Sequence, residues 1–284
     1  MTNGMIYYVN GDFVRAEDAA LPLGDLAIVR GFGVFDFLRT YNHVPFMLRE
    51  HVARLLRSAQ LIGLHMPLSL AEIESVVHEA NDRNGLPDAG IRIVATGGVS
   101  SSFMMPEDNT TLAVMVEPVK PVPQQTQIDG AAVTTTDIPR VMPTIKSLNY
   151  LGAILAVREA MRVGAIEAVY RTPDGLVTEG TRSNLFIVRD GKLMTPGREV
   201  LLGITRQAVM DAVAGRYEVM ETDVTYDELL AADEVFLTGT TKEVTPISRV
   251  DDTLIGKGVA GELTRDVAEC FRAYVVEHTA PAEA

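Results

Sequence analysis

Two charged residues stand beside apolar runs of the chain, where a charge would be partly removed from water. Lys146 lies in VMPTIKSLNYLGAIL, just before a predicted apolar helix. A buried lysine has a lowered pKa, as amine nucleophiles and Schiff-base lysines require. Glu179 lies in the turn VTEGTRSN, where a buried acid could hold a proton on a heterocyclic nitrogen. The alternatives are a lysine whose ammonium reaches solvent from a helix start, and a solvated loop carboxylate.

Two further segments have the residue types that bind anions. Residues 203–213, GITRQAVMDAV, begin ahead of a predicted helix whose free N–H groups favour an anion, and the Thr205 hydroxyl adds a donor. Residues 236–246, FLTGTTKEVTP, form a hydroxyl-rich loop after an apolar strand. Thr205 could instead be a plain N-cap, and the loop an ordinary turn. Together with the lysine and the acid, these segments form the set of groups that binds pyridoxal 5'-phosphate (PLP).

The composition restricts the class of protein. The chain has 284 residues, 47% of them hydrophobic, which is enough for one large or two medium domains. The net charge of −13 argues against a nucleic-acid partner. Without a membrane-spanning stretch or an apparent signal peptide, we expect a cytoplasmic soluble protein with no membrane partner. No metal site is predicted, because the histidines are scattered without ligand spacing: His43, His51, His65, His78 and His278.

The first half of the chain predicts strands that flank two helices. Asn10 and Gly11 predict a tight hairpin turn near the start, and GVFDFLRTY and VPFML predict the next two strands. The apolar residues of 48–64 have helical spacing. Ser69 and Glu72 form a capping box that begins a second helix. IRIVAT and TLAVMVEP predict two more strands.

The stretch KPVPQQTQ has no periodicity and predicts an interdomain linker over residues 119–125. It would join a small N-terminal α/β domain, residues 1–118, to a larger C-terminal PLP-binding domain, residues 126–284. The second half predicts strands at AAVTTT and on both sides of TPDG, and helices from about Tyr150, from Ile204 and from about Val259. TYDE at residues 225–228 predicts a second capping box. We therefore expect a two-domain α/β (α+β) protein with its active site in the cleft between the domains.

Seven motifs of the chain occur in the same order and with similar spacing in one known family: NGDFV, GVFDFLRTY, REHVARLLRSAQ, IKSLNYL, GLVTEGTRSNLFIV, GITRQAV and LTGTTKEVTPI. Over nearly its whole length the chain resembles the fold-type IV, or class IV, PLP-dependent aminotransferases. This family includes branched-chain aminotransferases, D-amino acid transaminases and aminodeoxychorismate lyase. The resemblance implies PLP as cofactor and a homodimer in which a loop of the neighbouring subunit completes the active site.

The resemblance also implies roles for particular residues. Lys146 is expected to form the Schiff base with PLP and to carry the proton between the substrate Cα and C4′ of the cofactor. Glu179 is expected to pair with the pyridine nitrogen and keep it protonated. The residues expected to bind the cofactor phosphate are Arg54, Ile204, Thr205 and Thr240. Thr241 and Ser183 are expected at the substrate site.

Two arginines depart from the better-known members of the family. Arg182 stands where familiar branched-chain enzymes carry glycine and the best-known D-amino acid transaminase carries serine. Arg30 stands where those enzymes carry an aromatic residue. Because a guanidinium suits bidentate binding of a carboxylate, we expect Arg30, supplied by the neighbouring subunit, and Arg182 to bind the substrate α-carboxylate. This pattern is similar to that of a divergent group of D-amino acid transaminases.

Two other residues have expected places near the substrate. Phe35, with the loop GGVSSSFMMP, is expected to line the side-chain pocket. Arg39 is expected to contact a second carboxylate, such as that of 2-oxoglutarate, or else an acid at the interface.

The predicted function is transfer of the amino group of a D-amino acid, such as D-alanine or D-glutamate, to a 2-oxo acid such as 2-oxoglutarate or pyruvate. The first alternative is an L-branched-chain aminotransferase, which Phe35 and Arg39 favour. A second is a PLP lyase of the aminodeoxychorismate type, which IKSLN resembles. A non-catalytic α/β binding protein is a third, against which Lys146 and Glu179 argue.

Overall fold

The computed structural model describes residues 4–280 and separates into two compact units. The first unit contains the described residues up to Lys120, the segment Ile145–Asn149 and the described residues from His278 onward. The second contains Pro121–Thr144 and Tyr150–Glu277. The short segment that carries Lys146 thus clusters with the first unit, although the chain on both sides of it belongs to the second. The domain boundaries expected from the sequence stay a prediction.

The first unit is built on a six-stranded antiparallel sheet in the order β2-β1-β6-β5-β3-β4. The strands are β1 (Ile6–Val9), β2 (Asp12–Arg15), β3 (Gly33–Tyr41), β4 (Val44–Pro45), β5 (Ala89–Thr96) and β6 (Thr111–Pro118). The helices are α1 (Leu26–Arg30), α2 (Leu48–Leu61) and α3 (Leu70–Asn84). Apolar residues of α2 and α3 pack on those of β3, β5 and β6 in one core.

Local signals account for most boundaries of the first unit. Asn10 and Gly11 have φ angles of 49° and 107°, which confirms the predicted hairpin turn. Both halves of the capping box at Ser69 are present. The prediction of a strand over VPFML was wrong beyond Pro45, because Met47 adopts a left-handed conformation with φ 51° and helix α2 begins at the next residue.

The second unit has ten strands, in the order β12-β11-β10-β14-β15-β7-β8-β9-β13 with β16 on β15. The strands are β7 (Ala131–Thr136), β8 (Glu167–Arg171), β9 (Leu176–Gly180), β10 (Asn184–Arg189), β11 (Lys192–Thr195), β12 (Val219–Glu221), β13 (Val224–Thr225), β14 (Glu234–Gly239), β15 (Glu243–Val250) and β16 (Thr253–Leu254). The helices are α4 (Gln124–Asp129), α5 (Leu151–Arg162), α6 (Ile204–Ala212), α7 (Tyr226–Leu230) and α8 (Glu262–His278).

Strand β9 closes part of this sheet into a ring. Residue Asn184 of β10 pairs with Glu179 of β9, so that β10, β14, β15, β7, β8 and β9 form a closed circuit. Apolar side chains form a buried core in the unit. Phe186 and Phe236 are also fully buried, and their rings stack with centroids 4.9 Å apart. Glu179 therefore lies where two strands of the ring meet.

Two other expectations have clear outcomes in the second unit. The predicted linker is not wholly irregular, because α4 begins at Gln124 inside it. The capping box at TYDE is confirmed, since Thr225 and Glu228 exchange both of its hydrogen bonds before α7. Among residues 4–280, no helix is long and apolar enough to cross a membrane.

Candidate active site

Hydrogen bonds join the backbone around Lys146 to the first residues of β3. The Phe35 N–H donates to the Lys146 carbonyl at 2.9 Å, and the Leu148 N–H donates to the Gly33 carbonyl at 3.0 Å. A Cβ at residue 33 would lie 2.6 Å from the Ala95 carbonyl oxygen and 2.7 Å from Leu148, so only glycine allows this approach. The Lys146 side chain is half-buried, and its ammonium lies 4.8 Å from the centre of the Phe35 ring.

A buried charge cluster holds Arg54 in the same unit. Asp36, in the middle of β3, is fully buried and accepts hydrogen bonds of 2.8 Å from Nε and a terminal nitrogen of the Arg54 guanidinium. Nδ1 of His51 lies 2.7 Å from the same carboxylate. Burial would raise the pKa of Asp36, but Arg54 and His51 hold that pKa well below its usual range. The cluster fixes the position of a guanidinium that carries several more N–H donors.

In the same cluster the pKa of His51 is lowered, which favours the neutral imidazole. Burial lowers the pKa of His51, and the charges of Arg54 and Lys146 lower it further, against the opposite effect of Asp36. The lone negative charge of Asp36 is therefore balanced by Arg54.

Glu179 is the buried carboxylate of the second unit that the motifs singled out, with 2% of its surface exposed. The Leu201 N–H donates to both of its oxygens at 3.1 and 3.2 Å, and the Asn184 side-chain amide donates to one of them at 3.3 Å. The Arg140 guanidinium forms an ion pair with it. Two neutral donors and a cation thus compensate the burial of this carboxylate.

The N-terminus of α6 lies beside the same asparagine. Gly203 is its N-cap and supplies no side-chain hydrogen bond to the first turn, and Thr205 in that turn is buried. A Cβ at residue 203 would lie 1.9 Å from the Asn184 side-chain oxygen, so a larger residue there would displace that side chain. Asn184 therefore connects Glu179 to the helix start that contains Ile204 and Thr205.

Two turns of the second unit carry the other predicted residues. Residues 181–183 connect β9 to β10, and residues 240–242 connect β14 to β15. They are neighbours, because a Cβ at Gly239 would lie 3.4 Å from the Arg182 carbonyl. Arg182 is exposed, whereas Ser183 is buried and its hydroxyl has no hydrogen-bond partner within residues 4–280.

The remaining predicted residues lie in the first unit. Arg30, at the end of α1, is exposed, and its guanidinium donates to the carbonyl of Val29. Arg39 is buried, lies 4.1 Å from the Tyr41 ring centre and pairs with Asp88 at 3.6 Å.

The family model for class IV aminotransferases matches residues 33–250, more than half of the chain. The chain belongs to the class IV aminotransferases. Enzymes of this class depend on PLP and act on amino acids and 2-oxo acids. The resemblance drawn from the seven sequence motifs is thereby confirmed, and so is the mixed α/β, fold-type IV architecture.

The relatives of this class IV aminotransferase differ in the substrates that their names give. A protein of Methanocaldococcus jannaschii, which is provisionally named a branched-chain-amino-acid aminotransferase, is 37% identical to this chain over 94% of this chain and 96% of its own length. The D-alanine aminotransferase of Bacillus licheniformis is 35% identical over 95% of this chain and 97% of its own. The branched-chain aminotransferase of Thermoproteus uzoniensis, solved with norvaline, superposes with a TM-score of 0.86, at 33% identity, covering 97% of this chain and 96% of its own. Membership of the class therefore does not decide whether the substrate is a D-amino acid or an L-amino acid.

The residues of this aminotransferase fit PLP chemically. Glu179 has a buried carboxylate of the kind that would pair with a protonated ring nitrogen, Lys146 has an amine that would hold the cofactor, and the uncapped start of α6 has N–H groups that would bind a phosphate. The buried hydroxyl of Ser183 has donor and acceptor capacity left over.

Sequence reasoning missed five charged residues that support these groups: Asp36, His51, Arg140, Glu167 and Lys242. Asp36 and Glu167 had a usable signal, because each is an acid within an apolar strand, and a buried acid requires a partner. Arg140 had none, since it pairs with a carboxylate 39 residues away in the sequence.

Proposed function

We propose that this class IV aminotransferase moves the amino group of a D-amino acid, such as D-alanine or D-glutamate, to a 2-oxo acid. The observation that carries the proposal is the presence of Arg182, exposed on the turn that begins two residues after the buried Glu179. A guanidinium there can bind a carboxylate through two parallel hydrogen bonds.

The amine of Lys146 would hold the cofactor and move a proton to and from the substrate Cα. When bound, PLP withdraws electrons from that carbon through its protonated pyridine ring. Glu179 would hold the proton on the ring nitrogen. Support comes from the burial of Glu179 and from the three donors that contact its carboxylate: the Leu201 N–H, the Asn184 amide and the Arg140 guanidinium.

The cofactor phosphate would be bound by Arg54, Ile204, Thr205 and Thr240. Arg54 supports this role because Asp36 and His51 fix its guanidinium before any anion arrives. The start of α6 supports it because its first N–H groups have no side-chain cap.

The substrate α-carboxylate would be bound by Arg182 together with Arg30 from a second copy of the chain, in a homodimer. Ser183 and Thr241 would border the substrate. Phe35 would lie near its side chain, which the position of Phe35 next to the Lys146 ammonium supports. Arg39 would contact a second carboxylate, such as that of 2-oxoglutarate.

A second candidate function is an L-branched-chain aminotransferase. The names of the Methanocaldococcus jannaschii relative and of the Thermoproteus uzoniensis enzyme favour it. In that case Arg30 and Arg182 would bind a different group.

The configuration of the product separates the two functions. The enzyme would be incubated with D-alanine and 2-oxoglutarate, and the glutamate formed would be resolved by chiral chromatography. We expect D-glutamate. Turnover with L-leucine and not with D-alanine, with L-glutamate as the product from 2-oxoglutarate, would instead assign the branched-chain function.

The carboxylate-binding role of Arg182 is tested by Arg182→Ala. Loss of a charged hydrogen-bond pair should raise KM for every amino acid substrate about tenfold to a hundredfold. Arg189→Ala, which removes an exposed arginine at the end of β10, is the matched control and should leave KM unchanged. An unchanged KM in Arg182→Ala would refute the role.

A further inference from the structure

Glu167 is a fully buried acid at the start of β8, with 0% of its surface exposed. One carboxylate oxygen accepts a hydrogen bond from the Thr181 hydroxyl at 3.0 Å and another from the backbone N–H of Arg182. The other oxygen forms an ion pair with the ammonium of Lys242. One buried carboxylate therefore contacts both turns that carry the proposed substrate and phosphate residues.

Each of the two turns has a backbone hydrogen bond that does not involve the other turn. The 240–242 turn is a three-residue hairpin loop, closed by the Lys242 N–H on the Gly239 carbonyl at 3.0 Å and followed by Glu243 with φ 51°. The 181–183 turn is held by the Thr181 N–H on the Ala168 carbonyl at 2.9 Å. These backbone bonds do not connect one turn to the other, whereas Glu167 does.

The space around Glu167 is closely filled. A Cβ at Gly180 would lie 2.9 Å from its carboxylate and 2.3 Å from the Ser183 hydroxyl, so a larger residue there would displace these side chains. Burial also lowers the pKa of Lys242 to about 8, although the Glu167 carboxylate favours its charged form. An ordinary connecting turn would not be expected to carry an ion pair buried this deeply.

We infer that Glu167 and Lys242 are positioning residues for substrate binding: they fix the turn of Arg182 against the turn of Thr240 and Thr241, and so set the place at which a substrate carboxylate binds. This inference rests on the proposed function, because it concerns the residue proposed to bind that carboxylate. Neither residue need touch the substrate.

The test compares two lysine–glutamate pairs of the same unit. Glu167→Gln and Lys242→Met each remove one charge of the buried pair. Glu218→Gln and Lys192→Met do the same to an exposed pair, whose charged atoms are 2.9 Å apart. For each variant of the holoenzyme, KM and kcat would be measured with the best amino acid of the wild type. The inhibition constant of 4-methylvaleric acid, a carboxylic acid that has no amino group, would also be measured.

We expect Glu167→Gln and Lys242→Met to raise both KM and the inhibition constant about tenfold, with kcat lowered less than about threefold and the cofactor retained. The double variant should recover part of the loss, because it leaves no unpaired buried charge. The exposed pair should give no change. A purely structural role would lower thermal stability without moving the inhibition constant.

Unchanged KM and inhibition constants in a folded Glu167→Gln enzyme would overturn the inference. If that variant does not fold, Lys242→Met decides in the same way, since it leaves the Thr181 and Arg182 hydrogen bonds in place. Failure of the proposed function gives a different result, because the wild type would then convert L-amino acids and not D-amino acids. The effect of Glu167→Gln on the inhibition constant of 4-methylvaleric acid could still be measured in that case.

Discussion

Two fully buried carboxylates, Asp36 in the first unit and Glu167 in the second, are each compensated by a cation, but they fix different parts of the chain. Both lie on strands, and each has a cation beside it. Asp36 binds the guanidinium of Arg54 through two hydrogen bonds and fixes a side chain. Glu167 binds a hydroxyl, a backbone N–H and an ammonium, and connects two turns.

The difference lies in the cation. Arginine cannot lose its proton in a protein, so Arg54 is a permanent charge that needs Asp36. Lysine can lose its proton, and burial already lowers the pKa of Lys242 to about 8. The first pair is therefore suited to rigid placement of a charge. The second is suited to the connection of two loops, with a smaller loss of stability when the pair is broken.

The largest expected effect is that of Asp36→Asn. It leaves the buried Arg54 charge without a counterion, so the free energy of unfolding should fall by about 3–5 kcal/mol. Denaturant unfolding followed by circular dichroism measures this. Asp88→Asn, which alters the more exposed partner of Arg39, is the control and should change stability by less than about 1 kcal/mol. Equal losses in the two variants would contradict the assigned role of Asp36.

A smaller loss is expected for Glu167→Gln, about 1–3 kcal/mol in the same measurement. Lys242 can release its proton once its partner is neutral, and the glutamine oxygen can still accept the Arg182 N–H. A loss as large as that of Asp36→Asn would mean that the two clusters do not differ in the way described.

The smallest effect concerns mild acid. The pKa values of Asp36 and His51 are lowered in the folded protein, so the unfolded chain binds more protons and stability falls as the pH falls. The contribution of His51 is lost first, as the pH drops below about 6.5, and that of Asp36 below about 3.9. His51→Gln should flatten the stability profile between about pH 7 and 5. A profile that keeps its slope in this variant would assign the slope to other groups.

The sequence predicted the elements that short local signals determine. The Asn10-Gly11 turn and the capping boxes at Ser69 and Thr225 depend on residues at most three apart, and all three are confirmed. The strand expected over VPFML extends only to Pro45, because a left-handed Met47 turns the chain into α2. Strand propensity alone could not report that turn.

The candidate site was predictable only in part, for a related reason. Motifs singled out Lys146 and Glu179, since these stand in recognisable stretches of the chain. Arg140 pairs with Glu179 from 39 residues away in the sequence. Asp36 and Lys242 lie inside motifs that were singled out, but their partners Arg54 and Glu167 could not be read from those motifs. Their roles depend on strand register and on burial, which residue spacing does not give.

The most direct test of the central claim is an absorbance scan of the PLP-loaded enzyme without any 2-oxo acid acceptor. D-alanine, D-glutamate, L-leucine and L-glutamate would be added separately. The account predicts that the visible band of the lysine-bound cofactor disappears with the D-amino acids and persists with the L-amino acids. Loss of the band with L-leucine alone would contradict it.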